Sequence, residues 1–128
     1  MVIDSSALVA ILLGEEEAEH FTTLISSDPR RLMSPVSMLE TSIVMEAKKG
    51  PAGGRELDLF VYSAQIEMAG MNREQAEIAR QAYRRFGKGQ HPARLNLGDC
   101  CSYALARHSG ERLLCKGNDF PLTDIPLC

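Results

Sequence analysis

An α/β domain built on a parallel sheet of four to five strands is the fold the sequence predicts, and three observations predict it. Short apolar runs alternate with longer stretches of helical spacing, the early runs are apolar on both faces, and no repeat, linker or low-complexity segment divides residues 1–128. A chain of 128 residues with 45% apolar composition is long enough to bury one core, so a single domain is expected.

Val2-Ile3 is the first strand and runs straight into Asp4, and the apolar stretch Ala7 to Leu13 behind it predicts a helix capped by Ser5 or Ser6. The next helix is expected from about Glu15 to Ser26, with Ala18, Phe21, Leu24 and Ile25 on one face and Glu15, Glu16 and Glu17 at its positive end. Asp28-Pro29 makes a turn and Leu32-Met33 a second strand. Pro35 to Lys49 reads as a helix with Val36, Leu39, Ile43, Val44 and Ala47 facing inward, stopped by Gly50-Pro51. The Gly53-Gly54 pair precedes a helix of about Arg55 to Gln65, and Ile66 to Met68 forms a third strand. Asn72 with Gln75 has the spacing of a capping box for a helix through Phe86. After a loop from Gly87 to Asn96, Asp99 opens a helix that runs to His108 and is closed by Gly110. Leu113 to Cys115 is the fourth strand, and Asp124-Ile125 begins a fifth.

The balance of 14 basic against 17 acidic side chains gives a net charge of −3, so any nucleic-acid binding has to use a local patch. Four cysteines without a secretion signal read as reduced thiols, and the adjacent Cys100 and Cys101 lack the spacing of a zinc pair. Asp4 stands where a signal peptide would begin its apolar run, and Ala7 to Leu13 is far short of the roughly 20 residues that span a bilayer. A cytoplasmic protein with no membrane partner is expected.

Sites in parallel sheets form beyond the carboxyl ends of the strands. Asp4 follows the first strand directly, and Asn118-Asp119 lies just past the fourth, after Lys116-Gly117. Glu40 falls on the inward stripe of its helix, where a carboxylate needs compensation, and Asp99 opens a helix with no other charge until Arg107. Taken singly, each acid has an ordinary structural explanation as a turn, cap or ion-pair residue. Four acids converging on one sheet edge do not. Like charges about 5 Å apart repel by roughly 3 kcal/mol at an effective dielectric of 20, so the cluster calls for a cation. An all-oxygen set favours Mg²⁺ or Mn²⁺ over zinc.

These residues carry a family resemblance that spans the chain. The opening Val2-Ile3-Asp4-Ser5-Ser6-Ala7-Leu8, the Ser37-Met38-Leu39-Glu40 segment, Gly98-Asp99-Cys100 with Tyr103-Ala104-Leu105-Ala106, and Leu113-Leu114-Cys115-Lys116-Gly117-Asn118-Asp119-Phe120 resemble the PIN-domain ribonucleases, and among them the VapC toxins. The resemblance implies a PIN-like parallel sheet with helices on both faces, a homodimer, Mg²⁺-dependent cleavage of RNA by metal-activated water, and a small antitoxin protein that blocks the site. By position it assigns Asp4, Glu40 and Asp99 as the regular acids and Ser6 as the hydroxyl that hydrogen-bonds within the site. Asp119 is taken as the fourth acid and Asn118 as its neutral neighbour, while Glu46 reads as a solvated helix flank.

Basic side chains available to RNA are Lys48, Lys49, Arg55, Arg84, Arg85, Lys88, Arg94 and Lys116, with the run from Arg84 to Arg94 expected to flank the cleft. His91 reads as a loop residue. The alternative function is a catalytically inactive PIN-like binding module that sequesters an antitoxin or holds RNA. A haloacid-dehalogenase-type phosphatase also begins with an Asp after its first strand, but that chemistry wants a second Asp two residues on, where Ser6 stands.

Overall fold

The computed structural model describes residues 1–128 throughout. Four two-residue strands, β1 (Val2–Ile3), β2 (Leu32–Met33), β3 (Glu67–Met68) and β4 (Leu113–Leu114), run parallel in the order β3-β2-β1-β4. Val2 is in register with Leu32 on one side and Leu113 on the other. Successive strand residues point to opposite faces, so even two residues per strand supply two cores. Val2, Leu32 and Leu113 enter one core with Phe86 and Tyr103; Ile3, Met33 and Leu114 enter the other with Leu8, Phe21, Ile25 and Leu57.

Six helices cover the sheet: α1 (Ser5–Leu12), α2 (Ala18–Ser27), α3 (Pro35–Lys49), α4 (Pro51–Ser63), α5 (Arg73–Phe86) and α6 (Leu97–Ser109). The α5 and α6 residues belong to the first core, and those of α1, α2 and α4 to the second. None of these helices is long and apolar enough to cross a membrane. All four cysteines are unpaired, and Cys100 and Cys101 are buried in α6.

Several expected boundaries shift, each for a local reason. Asp4 itself caps α1, accepting from Ser6 N, so neither serine is needed for that role. Helix α2 begins at Ala18, and Glu15 and Glu17 lie in the turn before it. Helix α3 has the expected ends but the opposite face inward. Ser37, Thr41 and Met45 are buried, whereas Leu39 and Ile43 are each 60% exposed. Close packing dictates this: Ser37 hydrogen-bonds to Ser102 of α6, and Met45 lies under α4.

Helix α4 starts at Pro51 rather than after the glycine pair, because Pro suits the first helical turn. Gly53 sits inside it for clearance, since a Cβ there would lie 2.2 Å from the Met45 carbonyl oxygen. Asn72 caps α5 by accepting from Gln75 N. Helix α6 opens at Leu97 under a capping box made by Asn96 and Asp99, and left-handed Gly110 (φ 71°) ends it. No fifth strand forms at Asp124-Ile125. The chain makes a short 3₁₀ turn at Phe120–Leu122, Ile125 drops into the core, and a single bridge joins Leu113 to Leu127.

Candidate active site

Strand β1 delivers Asp4 to the carboxyl edge of the sheet, where it is 2% exposed. Its Oδ2 accepts from Ser6 N at 3.0 Å and Ser6 Oγ at 2.7 Å, and its Oδ1 accepts from Ser102 Oγ at 2.6 Å. Ser37 Oγ lies 2.9 Å from Ser102 Oγ. Because Ser102 has one proton and donates it to Asp4, Ser37 is the donor in that second bond. This hydroxyl chain joins β1, α3 and α6, the elements that bear or precede Asp4, Glu40 and Asp99. Sequence reasoning missed Ser37 and Ser102. The available signal was a hydroxyl one turn from each acid, on the inward side of its helix.

Glu40 is half-buried on α3, with Oε1 3.5 Å from its donor Ser5 Oγ. Its carboxyl lies against the first turn of α6, a place open only because residue 98 has no side chain: a Cβ on Gly98 would stand 2.0 Å from Glu40 Oε1. Asp99 is held by reciprocal bonds, its Oδ2 accepting from Asn96 N at 3.0 Å and its own amide donating to Asn96 Oδ1 at 2.9 Å. Asp119, at the start of the 3₁₀ turn, is exposed.

A cavity of about 230 Å³ gathers them, lined by Asp4, Ser5, Ser6, Glu40, Asn96, Asp99, Lys116, Asp119 and Phe120. Asp4, Ser6, Glu40, Asp99 and Asp119 thus all stand on one wall system, and Asn118 and Glu46 do not. Glu46 leans over Gly54 of α4 instead. Arg84, Arg85, Lys88 and Arg94 do not line the cavity, and Arg85 pairs with Asp124 at 3.2 Å while lying over the Phe86 ring. His91 accepts from Ala93 N through Nδ1 and packs edge-on against Phe86, as a loop residue.

The electrostatics are those of acids alone. Burial, then the charge of Asp4, pushes the Glu40 carboxyl up. Burial and the charges of Asp4, Asp119 and Glu40 push Asp99 up to about 6, against the opposing effect of the Asn96 amide. No Lys or Arg forms an ion pair with any of the four. The one basic residue on the wall, Lys116, pairs with Glu15 and Glu17 instead.

This donor set fits a hard divalent cation. It is all oxygen, it carries uncompensated negative charge, and Asp99 Oδ1 and Glu40 Oε2 have no protein partner. No three His, Cys, Asp or Glu side chains stand close enough together to enclose an ion by themselves. Burial and then the charge of Asp4 push the Cys115 thiol up to about 12, which keeps it protonated and poorly nucleophilic. Ser6 is committed as donor to Asp4 and acceptor from Lys116 N at 3.0 Å.

Known proteins resemble the chain along nearly its whole length. The profile of the PIN domain matches residues 1–126. Over 125 residues the chain is 54% identical to the protein named Ribonuclease VapC of Mycolicibacterium smegmatis, covering 98% of this chain and 97% of that one. Among solved structures, Mycobacterium tuberculosis VapC20, described as a sarcin-ricin loop cleaving toxin, superposes with a TM-score of 0.77 at 17% identity, covering 97% and 95% of the two chains. VapBC2 from Rickettsia felis, bound to a DNA fragment from its promoter, superposes with a TM-score of 0.77 at 12% identity, covering 99% and 96%. At those identities the two structures speak for the fold.

Proposed function

Because this chain belongs to the PIN-domain family, with VapC ribonucleases as its relatives, we propose that it is an endoribonuclease, the toxin of a toxin–antitoxin pair, and that its acid pocket works with Mg²⁺, for which Mn²⁺ can substitute. The observation that carries the reading is the open pocket of four carboxylates with no basic partner among them. A scaffold that only bound an antitoxin would gain nothing from half-burying the Glu40 carboxyl against Gly98 with no basic partner. That counts against the inactive binding module.

Asp4, Glu40, Asp99 and Asp119 are the residues that would hold the ion, and when bound it supplies Lewis-acid stabilisation of the phosphodiester and a water of lowered pKa. Asp4 is kept in one orientation by Ser6 and Ser102, which fixes one side of the pocket before substrate arrives. Glu40 lies against the α6 start and has Oε2 free, which suits it to take a proton from the attacking water. The open mouth admits an unpaired or looped strand, whose backbone can reach the acids without a duplex in the way.

Purified protein should cleave single-stranded or looped RNA in Mg²⁺ or Mn²⁺, fall silent in EDTA, and recover when Mn²⁺ is restored. Cleavage that survived chelation would remove the metal from the reading, and RNA bound but intact in Mn²⁺ would favour the binding module.

The antitoxin partner is expected to place an Arg or Lys among the carboxylates, supplying the counter-charge the pocket lacks. Homodimerisation is supported by apolar side chains left outside: Leu39 and Ile43 on α3 at 60% exposure and Leu97 at the α6 start at 76%. The wild type should scatter light as a dimer at micromolar concentration and Ile43→Glu as a monomer. An Ile43→Glu dimer would clear that face of the role.

A further inference from the structure

We propose that Glu15 and Glu17 form a retaining clamp for Lys116, holding its ammonium out of the acid pocket so that the four carboxylates stay available to a divalent cation. The inference rests on the metal-dependent reading of the pocket and adds residues outside the acid set to it.

Lys116 is the basic residue closest to the chemistry by chain and by bonding. It follows β4 by two residues and is among the residues that line the same cavity as the acids. Its amide donates to Ser6 Oγ at 3.0 Å, and Ser6 Oγ in turn donates to Asp4 Oδ2 at 2.7 Å, so its backbone is two hydrogen bonds from Asp4. A flexible ammonium tethered there is the natural intramolecular counter-ion for four carboxylates. Turned inward, it would compete with a metal ion for the same oxygens.

The structure shows the ammonium turned outward. Nζ hydrogen-bonds to Glu15 Oε2 and lies 3.0 Å from Glu17 Oε2. Glu17 Oε2 is a buried atom whose ion-pair partner is Lys116 Nζ, and that ammonium holds the Glu17 carboxyl below its ordinary value, helped by the Glu17 backbone amide. Both glutamates are fixed in the turn between α1 and α2. Glu15 N donates to Ala10 O at 2.9 Å, Ala18 N donates to Glu15 O at 3.0 Å, and Gly14 at φ 65° makes the turn. Two carboxylates built into one short turn outside the pocket thus out-compete the four inside it for a single ammonium. The charges that bear on Asp99 and Glu40 accordingly come from other acids and not from Lys116.

The test is Mn²⁺ affinity of the purified protein, read from the electron paramagnetic resonance of free Mn²⁺ and from the rise in Tm that Mn²⁺ produces. Glu15→Gln/Glu17→Gln should bind Mn²⁺ about tenfold or more weakly than wild type, because the released lysine occupies the carboxylates. Adding Lys116→Met to that pair should restore binding to near the wild-type level. The deficit of the double variant should persist at about 0.5 M KCl, where the Debye length is about 4 Å and a long-range charge effect is screened away. A single Glu17→Gln variant gives the same direction with less change to the turn, and metal-free melting curves report whether each variant is folded. A double variant that binds like wild type, a triple variant that stays weak, or a deficit that vanishes in salt overturns the clamp. Wild type that takes up no Mn²⁺ fails the metal reading itself, which separates the two failures.

Discussion

Asp99→Asn is expected to abolish RNA cleavage while leaving the metal-free protein as stable as wild type or more so. Loss of one preorganised charged group from such a site lowers turnover on the order of 10²–10³-fold. The stability effect follows from what holds Asp99. Its Oδ2 accepts from Asn96 N in the capping box, a bond that an asparagine oxygen also makes, whereas its Oδ1 has no protein donor. The charge is therefore supported by one amide and opposed by burial and three other acids. With the folded carboxyl at about 6 against an ordinary 3.8, the folded state holds its proton more tightly than the unfolded chain. That contribution to stability is fully present below about pH 4 and is lost as pH rises through 6. At neutral pH the strain amounts to roughly 1–2 kcal/mol, allowing for screening at the open pocket mouth. Asp99→Asn removes it, so metal-free melting of the variant should change less between pH 4 and 7 than that of wild type. The rise in Tm given by Mn²⁺ should shrink in the variant. A variant less stable than wild type in EDTA, with cleavage retained, would make Asp99 a structural residue.

The parts of this site legible in the sequence were those tied to chain order. Asp4 and Asp119 follow strands, Asp99 begins a helix, and in a parallel sheet those positions share one rim whatever the packing details. Glu40 was legible as an acid that needed compensation, although by the wrong geometry. The apolar spacing of Leu39, Ile43 and Ala47 pointed that face inward, whereas α3 turns Ser37, Thr41 and Met45 to the core. Periodicity reports that a helix has an apolar stripe. It does not say whether the stripe meets the core or stays outside for another surface. Small and hydroxylated residues at a close crossing carry little hydrophobic signal, which is why Ser37, Ser102, Gly53 and Gly98 were not anticipated. Their importance lies in atoms that approach from elsewhere in the chain: the Met45 carbonyl, the Glu40 carboxyl, the Asp4 carboxylate. Within the basic run from Arg84 to Arg94, Arg85 is claimed by Asp124, a partner 39 positions away that no local pattern announces. Lys116 was legible as a nearby charge but not as one held by glutamates about a hundred residues earlier.

Asp4→Asn should abolish cleavage as fully as Asp99→Asn but, unlike it, should destabilise the fold. The difference lies in donors. Asp4 accepts three hydrogen bonds, two at Oδ2 from Ser6 and one at Oδ1 from Ser102, and it caps α1. An asparagine offers one oxygen and one NH₂ group to the same surroundings. If the oxygen faces Ser6, the NH₂ meets Ser102 Oγ, which has to turn its proton toward Ser37 and so deprive the Ser37 hydroxyl of its acceptor. Ser37 and Ser102 are both fully buried, out of reach of bulk solvent. If the amide is turned round, its NH₂ faces the Ser6 amide N–H, a backbone donor that cannot rotate, and α1 loses its cap. Each arrangement leaves one buried donor unpaired, at a cost of about 1–3 kcal/mol. For a domain of this size that lowers Tm by roughly 3–10 °C. Mn²⁺ should not recover the loss, because the variant has also lost an oxygen from the ion's donor set. Melting curves of wild type, Asp4→Asn and Asp99→Asn in EDTA at pH 7 therefore separate the two acids: Asp4→Asn is expected below wild type, and Asp99→Asn at or above it. An Asp4→Asn protein as stable as wild type would show that the Ser37–Ser102 chain does not hold Asp4 in place.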